Sequence, residues 1–255
     1  MVFVFGYNAL SAVLRGVGDS RTPLYFLIAS SLANIVMDVV FVVCFHMGVG
    51  GVAWATFLCQ GVASVLAAWT LFRRLRGVPA PERHPLFSWR MLGRIARIAV
   101  PSILQQSFIS VGNLFIQSLV NSFGSAVVAG YSAAVKLNTF ALTGFTTLGN
   151  GLSSFTAQNI GAGRPERVKQ GFRAGAGMTL CVAVPFIAAF VFAGPQMVRL
   201  FLSAPSADAL AQGTLFLNIV APFYVLISLK LAADGVLRGA GCMGQFMTAT
   251  FTDLI

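Results

Sequence analysis

From Leu24 to Phe45 the chain runs through twenty-two residues with one charged side chain, Asp38. A helix rises 1.5 Å per residue, so about twenty apolar residues cross a hydrocarbon layer of about 30 Å. The pattern recurs at Val52–Phe72, Ile98–Val120, Ala126–Ala157, Ala174–Val198 and Ala209–Asp234. Met1–Val13 and the closing FMTATFTDLI read as partial spans, and the chain therefore as a piece of a longer protein. In lipid only helices and closed barrels satisfy their own backbone. Barrel strands alternate over about ten residues, whereas these runs are continuously apolar. The expected class is an all-α integral membrane protein. Composition agrees: 57% of residues are hydrophobic, 9% are charged, and the mean hydropathy is +0.82.

The polar breaks carry a second pattern. VLRGVG at Val13–Gly18 returns as VLRGAG at Val236–Gly241, identical at five of six positions. Six apolar segments separate the copies, and an even number of crossings returns the chain to the same side. This is the layout of a parallel internal repeat. The first copy opens the loop LRGVGDSRTP, Leu14–Pro23, where Pro23 suits a helix start because its missing N–H is not needed there. His46–Gly51 reads as a short glycine-rich turn, and the span after it opens with GGVAWAT, whose small residues permit close helix contact.

Charge placement gives an orientation. Alternate connections hold Arg15 and Arg21; Arg73, Arg74, Arg76, Arg83, Arg90, Arg94 and Arg97; Arg164, Arg167, Lys169 and Arg173; and Arg238, which is 14 of the 17 Lys and Arg. The intervening connections hold only Arg199. The positive-inside rule puts both LRG loops in the cytoplasm. The net charge of +10 is thus a membrane-topology signal, not a nucleic-acid footprint. Residues 73–97 read as a basic linker between halves 1–72 and 98–255. It is broken by Pro79, Pro81 and Pro85 and ends in the amphipathic SWRMLGRIAR, which reads as an interfacial helix. Pro101 reads as the start of the span that follows. The four cysteines, Cys44, Cys59, Cys181 and Cys242, lack metal spacing and read as packing residues. The N-terminal residues lack a basic region and cleavage site, so they do not read as a signal peptide.

An ionisable residue inside the membrane is the default functional pointer. Asp38 lies fifteen residues past Pro23, with Asn34 one turn earlier on the same face. Thr56 lies on the next helix, at a matching distance from the turn His46–Gly51. A carboxylate, an amide oxygen and a hydroxyl suit a small cation such as Na⁺, or a proton relay. The opposing reading is a neutral acid hydrogen-bonded within its own helix. Lys230 and Asp234 stand four apart, able to pair and close enough to a helix end to snorkel. Lys136 reads either as a snorkelling base or as a cavity residue. His46 reads as solvated, and the many phenylalanines as packing or lipid-facing. There is no nucleophile–base pair, phosphate loop or metal cluster. Gly161–Gly163 is too short for a nucleotide loop and reads as a helix stop. The reading is of a non-enzyme without cofactor, and active transport would need an ion gradient or a separate subunit.

LRGVGDSRTP followed by NIVMD, then GVGGVAWAT, VAGYSAA with QNIGAGRPERV, and LRGAG, in this order and spacing, resemble the multidrug and toxic compound extrusion (MATE) family. The resemblance spans nearly the whole chain. It implies a twelve-helix transporter of two pseudo-symmetric six-helix lobes around a cleft, of which this chain would hold roughly helices 4–11. It implies export of cationic or amphipathic small molecules in exchange for Na⁺ or H⁺, across the plasma membrane. One branch of the family places an Asn and Asp on its fifth helix and a Thr on its sixth, which Asn34, Asp38 and Thr56 match, together with an acid on a first helix outside this sequence. Another branch uses acids on its seventh and tenth helices. Here VPSILQQSFIS carries none, Ile227 stands at the expected position on the tenth helix, and Asp234 does not match. The departure favours the first half of the chain. A lipid-linked oligosaccharide or polysaccharide flippase of the same superfamily would need a more cationic cleft. A non-transporting membrane assembly subunit would need a partner domain.

Overall fold

The computed structural model describes residues 2–77, 87–202 and 206–254. All regular structure among them is helical: α1 (Val2–Gly16), α2 (Arg21–Val39), α3 (Gly48–Leu75), α4 (Trp89–Asn121), α5 (Ser125–Gly161), α6 (Pro165–Leu200), α7 (Ala207–Val220), α8 (Tyr224–Gly239) and α9 (Met243–Leu254). Among the described residues, five stretches are long and apolar enough to cross a membrane: Arg21–Cys44, Gly48–Leu75, Trp89–Asn121, Pro165–Leu200 and Ala207–Gly239. The chain divides into two units, Met1–Leu86 and Phe87–Ile255. Pro79, Pro81, Arg83 and Pro85 lie outside the described residues.

In the first unit α3 packs against both α1 and α2. Its buried residues are Gly51, Ala55, Cys59, Ala63, Ala67 and Leu71, one at every fourth position. That spacing keeps a small-residue ridge on nearly one face, and small side chains let neighbouring backbones approach. Tyr7 of α1 is buried and its hydroxyl donates to the Pro23 carbonyl at 2.8 Å. The bond ties α1 to the first turn of α2.

In the second unit α5 is the helix on which α6, α7 and α8 pack. It is expected as a span, yet its Ser, Thr, Asn and Gly content leaves it outside the five apolar stretches. Thr139, Thr143, Thr147 and Ser154 each donate to the carbonyl four residues back at 2.7–3.2 Å, which spares them a lipid-exposed unpaired donor. Its apolar contacts centre on Phe145, Phe190 and Tyr224, all buried and packed edge to face.

Several boundaries differ from the sequence reading. The connection expected over 73–97 is helical at both ends. Arg73 and Arg74 form the last turn of α3, where cations complement the helix dipole and the stems snorkel. SWRMLGRIAR is not a separate interfacial helix. Ser88 caps α4 by accepting from the Met91 N–H at 3.5 Å, and the helix continues to Asn121 with Pro101 inside it, not at its start. Proline breaks one intrahelical bond there without ending the helix. The expected span over Ala209–Asp234 is interrupted by a 3₁₀ turn, Ala221–Phe223, around Pro222.

The two LRG copies fold alike. Gly18 and Gly241 both take positive φ, 92° and 73°. The Asp19 N–H donates to the Leu14 carbonyl at 2.9 Å, and the Cys242 N–H to the Leu237 carbonyl at 3.0 Å. Both are the six-to-one closure of a helix ended by glycine. Gly163 ends α5 in the same way, with φ 68° and the Arg164 N–H donating to the Asn159 carbonyl at 2.9 Å.

Candidate functional site

Asn34 and Asp38 occupy successive turns near the end of α2, and both are partly buried. Asn34 Nδ2 donates to Thr56 Oγ1 on α3 at 3.5 Å. The structure thus brings together two of the three oxygen-bearing side chains singled out from the sequence, in a long, weak hydrogen bond. One turn further, Asp38 Oδ1 is buried and accepts no hydrogen bond. Burying an acceptor without a donor costs about 1–3 kcal/mol, and more when the group is charged. The opposing reading, a neutral acid hydrogen-bonded to Asn34 or backbone, has no such bond at Oδ1, and the Asn34 amide donates to Thr56 instead.

Two residues beyond Asp38 the helix widens. Val40–Cys44 form a π turn, closed by the Phe45 N–H on the Val40 carbonyl at 3.2 Å. Such turns recur at functional sites because they re-aim side chains and free backbone groups. His46 then takes φ 51°, in the left-handed region that non-glycine residues seldom adopt. The residue types in VFVVC carry no signal for this widening, and the sequence reading missed it.

At the opposite end of the first unit, Asp19 does two jobs. Its Oδ1 accepts from the Thr22 N–H at 3.1 Å and caps α2, while Oδ2 lies 2.8 Å from the Arg74 guanidinium. The Thr22 hydrogen bonds and the Arg74 charge hold the Asp19 carboxyl below its ordinary value, against the opposing pull of burial.

In the second unit Lys230 and Asp234 form an ion pair at 3.4 Å, with Asp234 buried. Lys136 is exposed on α5. Tyr224, directly after the Pro222 break, donates to Asn138 Oδ1 at 2.7 Å. Proline followed by a polar aromatic was the available signal for that contact. Arg238 of the second LRG copy donates to Asn150 Oδ1 at 3.3 Å and lies over the Phe246 ring.

The family model MatE matches residues 101–255, more than half of the chain. The chain belongs to the MatE family. MatE proteins are membrane transporters, not enzymes, and this one is a multi-pass membrane protein. A probable multidrug resistance protein, YpnP of Bacillus subtilis, is 34% identical over 97% of this chain and 55% of its own length. A probable multidrug resistance protein, NorM of Thermotoga maritima, is 25% identical over 96% of this chain and 53% of its own length. Both relatives are bacterial, which places the chain in the plasma membrane. Among solved structures, an outward-facing multidrug resistance MATE family transporter of the MOP superfamily superposes with a TM-score of 0.85 at 24% identity, over 96% of this chain and 55% of its own. A MOP superfamily transporter from Pyrococcus furiosus gives 0.84 at 23% identity, with the same coverage. These likenesses show the fold. The chain spans about half the length of the relatives it matches.

Proposed function

We propose that this chain contributes to a secondary antiporter that exports cationic or amphipathic small molecules in exchange for Na⁺ or H⁺. Asp38 is its cation or proton site, with Asn34 and Thr56 assisting. The observation that carries the reading is the buried, donor-free Asp38 Oδ1 one turn from the Asn34–Thr56 bond. An idle carboxylate inside the membrane is costly. One that alternates between loaded and released states couples that cost to movement of substrate. Asn34 and Thr56 add neutral oxygens without adding charge, as a monovalent ion or proton requires. The multidrug names of the Bacillus and Thermotoga relatives support the substrate class. The proposed lobes divide as 1–72 and 98–255 around the basic connection 73–97. Lys230, Asp234 and Lys136 are assigned secondary roles at most, since the first two neutralise each other.

The test is Asp38→Asn, which keeps size and polarity and removes ionisation. Substrate efflux is measured in membrane vesicles against imposed Na⁺ and pH gradients, with expression checked in the same membranes. The variant should insert normally and lose gradient-driven efflux. Efflux at the parent rate with the same ion dependence would make Asp38 a structural acid.

A further inference from the structure

A cavity of ≈ 630 Å³ opens between α5 and α6. Arg167 and Gln170 line one end, and Leu148, Gly151, Phe155 and Met178 line its length. The groove is thus polar at one end and apolar for the rest. Arg167 lies in the first turn of α6, and Met178 follows eleven residues later, about 16 Å along the helix axis. That matches one leaflet of a hydrocarbon core of about 30 Å.

The glycines mark where the groove is filled and where it is open. A side chain at Gly171 would collide with the Phe155 ring and one at Gly175 with Leu152, so those positions are filled from α5. A Cβ at Gly151 would meet nothing within 4 Å. Gly151 faces the empty part of the groove.

Charge decides the occupant. Arg167 is exposed and makes no ion pair among the described residues, Glu166 beside it included. Arg164, Lys169 and Arg173 flank it, so the segment is strongly cationic. A cationic drug would be repelled at this mouth, and a free phosphate would leave the apolar length unfilled. The charge bias of the connections puts the mouth at the cytoplasmic face, where the leaflet carries anionic headgroups and basic pockets between helices capture them. We infer that this groove binds one anionic phospholipid of the cytoplasmic leaflet, its phosphate on Arg167 and Gln170 and one acyl chain running past Gly151 to Met178. The inference rests on the charge-derived orientation and is independent of Asp38.

The test titrates fluorescent phosphatidylglycerol into the purified protein in phosphatidylcholine nanodiscs. The parent should show saturable binding that unlabelled phosphatidylglycerol displaces and added phosphatidylcholine does not. Arg167→Gln should weaken binding about fivefold, the loss of one basic contact near the surface, and Arg167→Lys should retain most of it. Gly151→Leu, which fills the groove from an open position, should abolish binding while melting like the parent. Inorganic phosphate and glycerol phosphate should not compete. Unchanged affinity in both Arg167→Gln and Gly151→Leu, equal displacement by phosphatidylcholine, or displacement by inorganic phosphate would each overturn the assignment. Efflux by Asp38→Asn tests a different site, so either reading can fail alone.

Discussion

Asp19 and Arg74 lie 2.8 Å apart, joining the first LRG loop to the last turn of α3, and the same carboxylate caps α2 through the Thr22 N–H. The partners are unequal: the Asp19 side chain is 6% exposed and that of Arg74 52%. The screened guanidinium contributes little, on the order of 0–1 kcal/mol, and the cap contributes about 1 kcal/mol. Asp19→Asn keeps an acceptor for Thr22 and loses the pair, whereas Asp19→Ala loses both. At neutral pH the order of melting temperatures should therefore be parent, then Asn, then Ala.

The pH dependence has a definite sign. The folded-state Asp19 carboxyl lies below its ordinary value of 3.8. The stability it supplies is fully present above the unfolded value and is lost as pH falls through the folded one. The gap between parent and Asp19→Asn should be constant from pH 7 to about 5 and close below 3.8. Thermal melting in detergent at stepped pH measures it. A gap that widens on acidification would contradict the assignment.

α5 and α8 approach through a glycine pair. A Cβ at Gly235 would collide with the Gly149 carbonyl, and one at Gly149 would come 2.6 Å from the Leu231 carbonyl. Backbone cannot swing aside as a side chain does. Gly235→Ala should cost about 1–3 kcal/mol as overpacking. Gly151→Ala, two residues along α5 from Gly149 and facing open space, should fall within about 0.5 kcal/mol of the parent or stabilise it. Melting of the two variants side by side checks the contrast.

The helical spans and the repeat were legible because lipid permits so few alternatives. Apolar runs of this length have one solution, and LRG followed by an apolar residue and glycine has one helix stop, realised at both Gly18 and Gly241. Boundaries were less legible. Proline marks a break at Pro222 and sits inside an unbroken helix at Pro101. Neighbouring contacts decide between those outcomes, and they are not written locally. Antiparallel geometry around one turn set Asp38 and Thr56 at one depth, whereas the hydrogen bond that Thr56 accepts comes from Asn34, one turn away. The π turn that follows Asp38 did not, because a run of valines specifies burial in lipid and not hydrogen-bond register.

The 14-of-17 bias of Lys and Arg predicts a topology. Single cysteines at Arg74, Arg167 and Arg238 should be shielded from an impermeant thiol reagent in intact cells, and those at His46 and Ser206 labelled. The background must lack Cys44, Cys59, Cys181 and Cys242, of which all but Cys59 are exposed. Labelling at position 167 in intact cells, or protection of both 46 and 206, would reverse the orientation and remove the lipid proposal with it.

Thr56 offers the graded counterpart to Asp38. Its hydroxyl holds the Asn34 amide at 3.5 Å, so Thr56→Ala removes a neutral oxygen and frees Asn34 to turn toward Asp38. Losing one neutral hydrogen-bonding group changes affinity by about 0.5–1.5 kcal/mol, a factor of about two to twelve. The driving-ion concentration for half-maximal efflux should therefore rise by that factor, while the rate at saturating ion stays near the parent. Thr56→Ser restores the oxygen and should restore the parent value. Asn34→Ala should resemble Thr56→Ala, and the double variant should fall short of the sum of the two, because each removes one side of the same bond. Vesicle efflux across a series of Na⁺ and pH gradients reads all four. A Thr56→Ala variant with unchanged ion dependence would leave Asp38 without its neutral partners and reduce the site to the carboxylate alone.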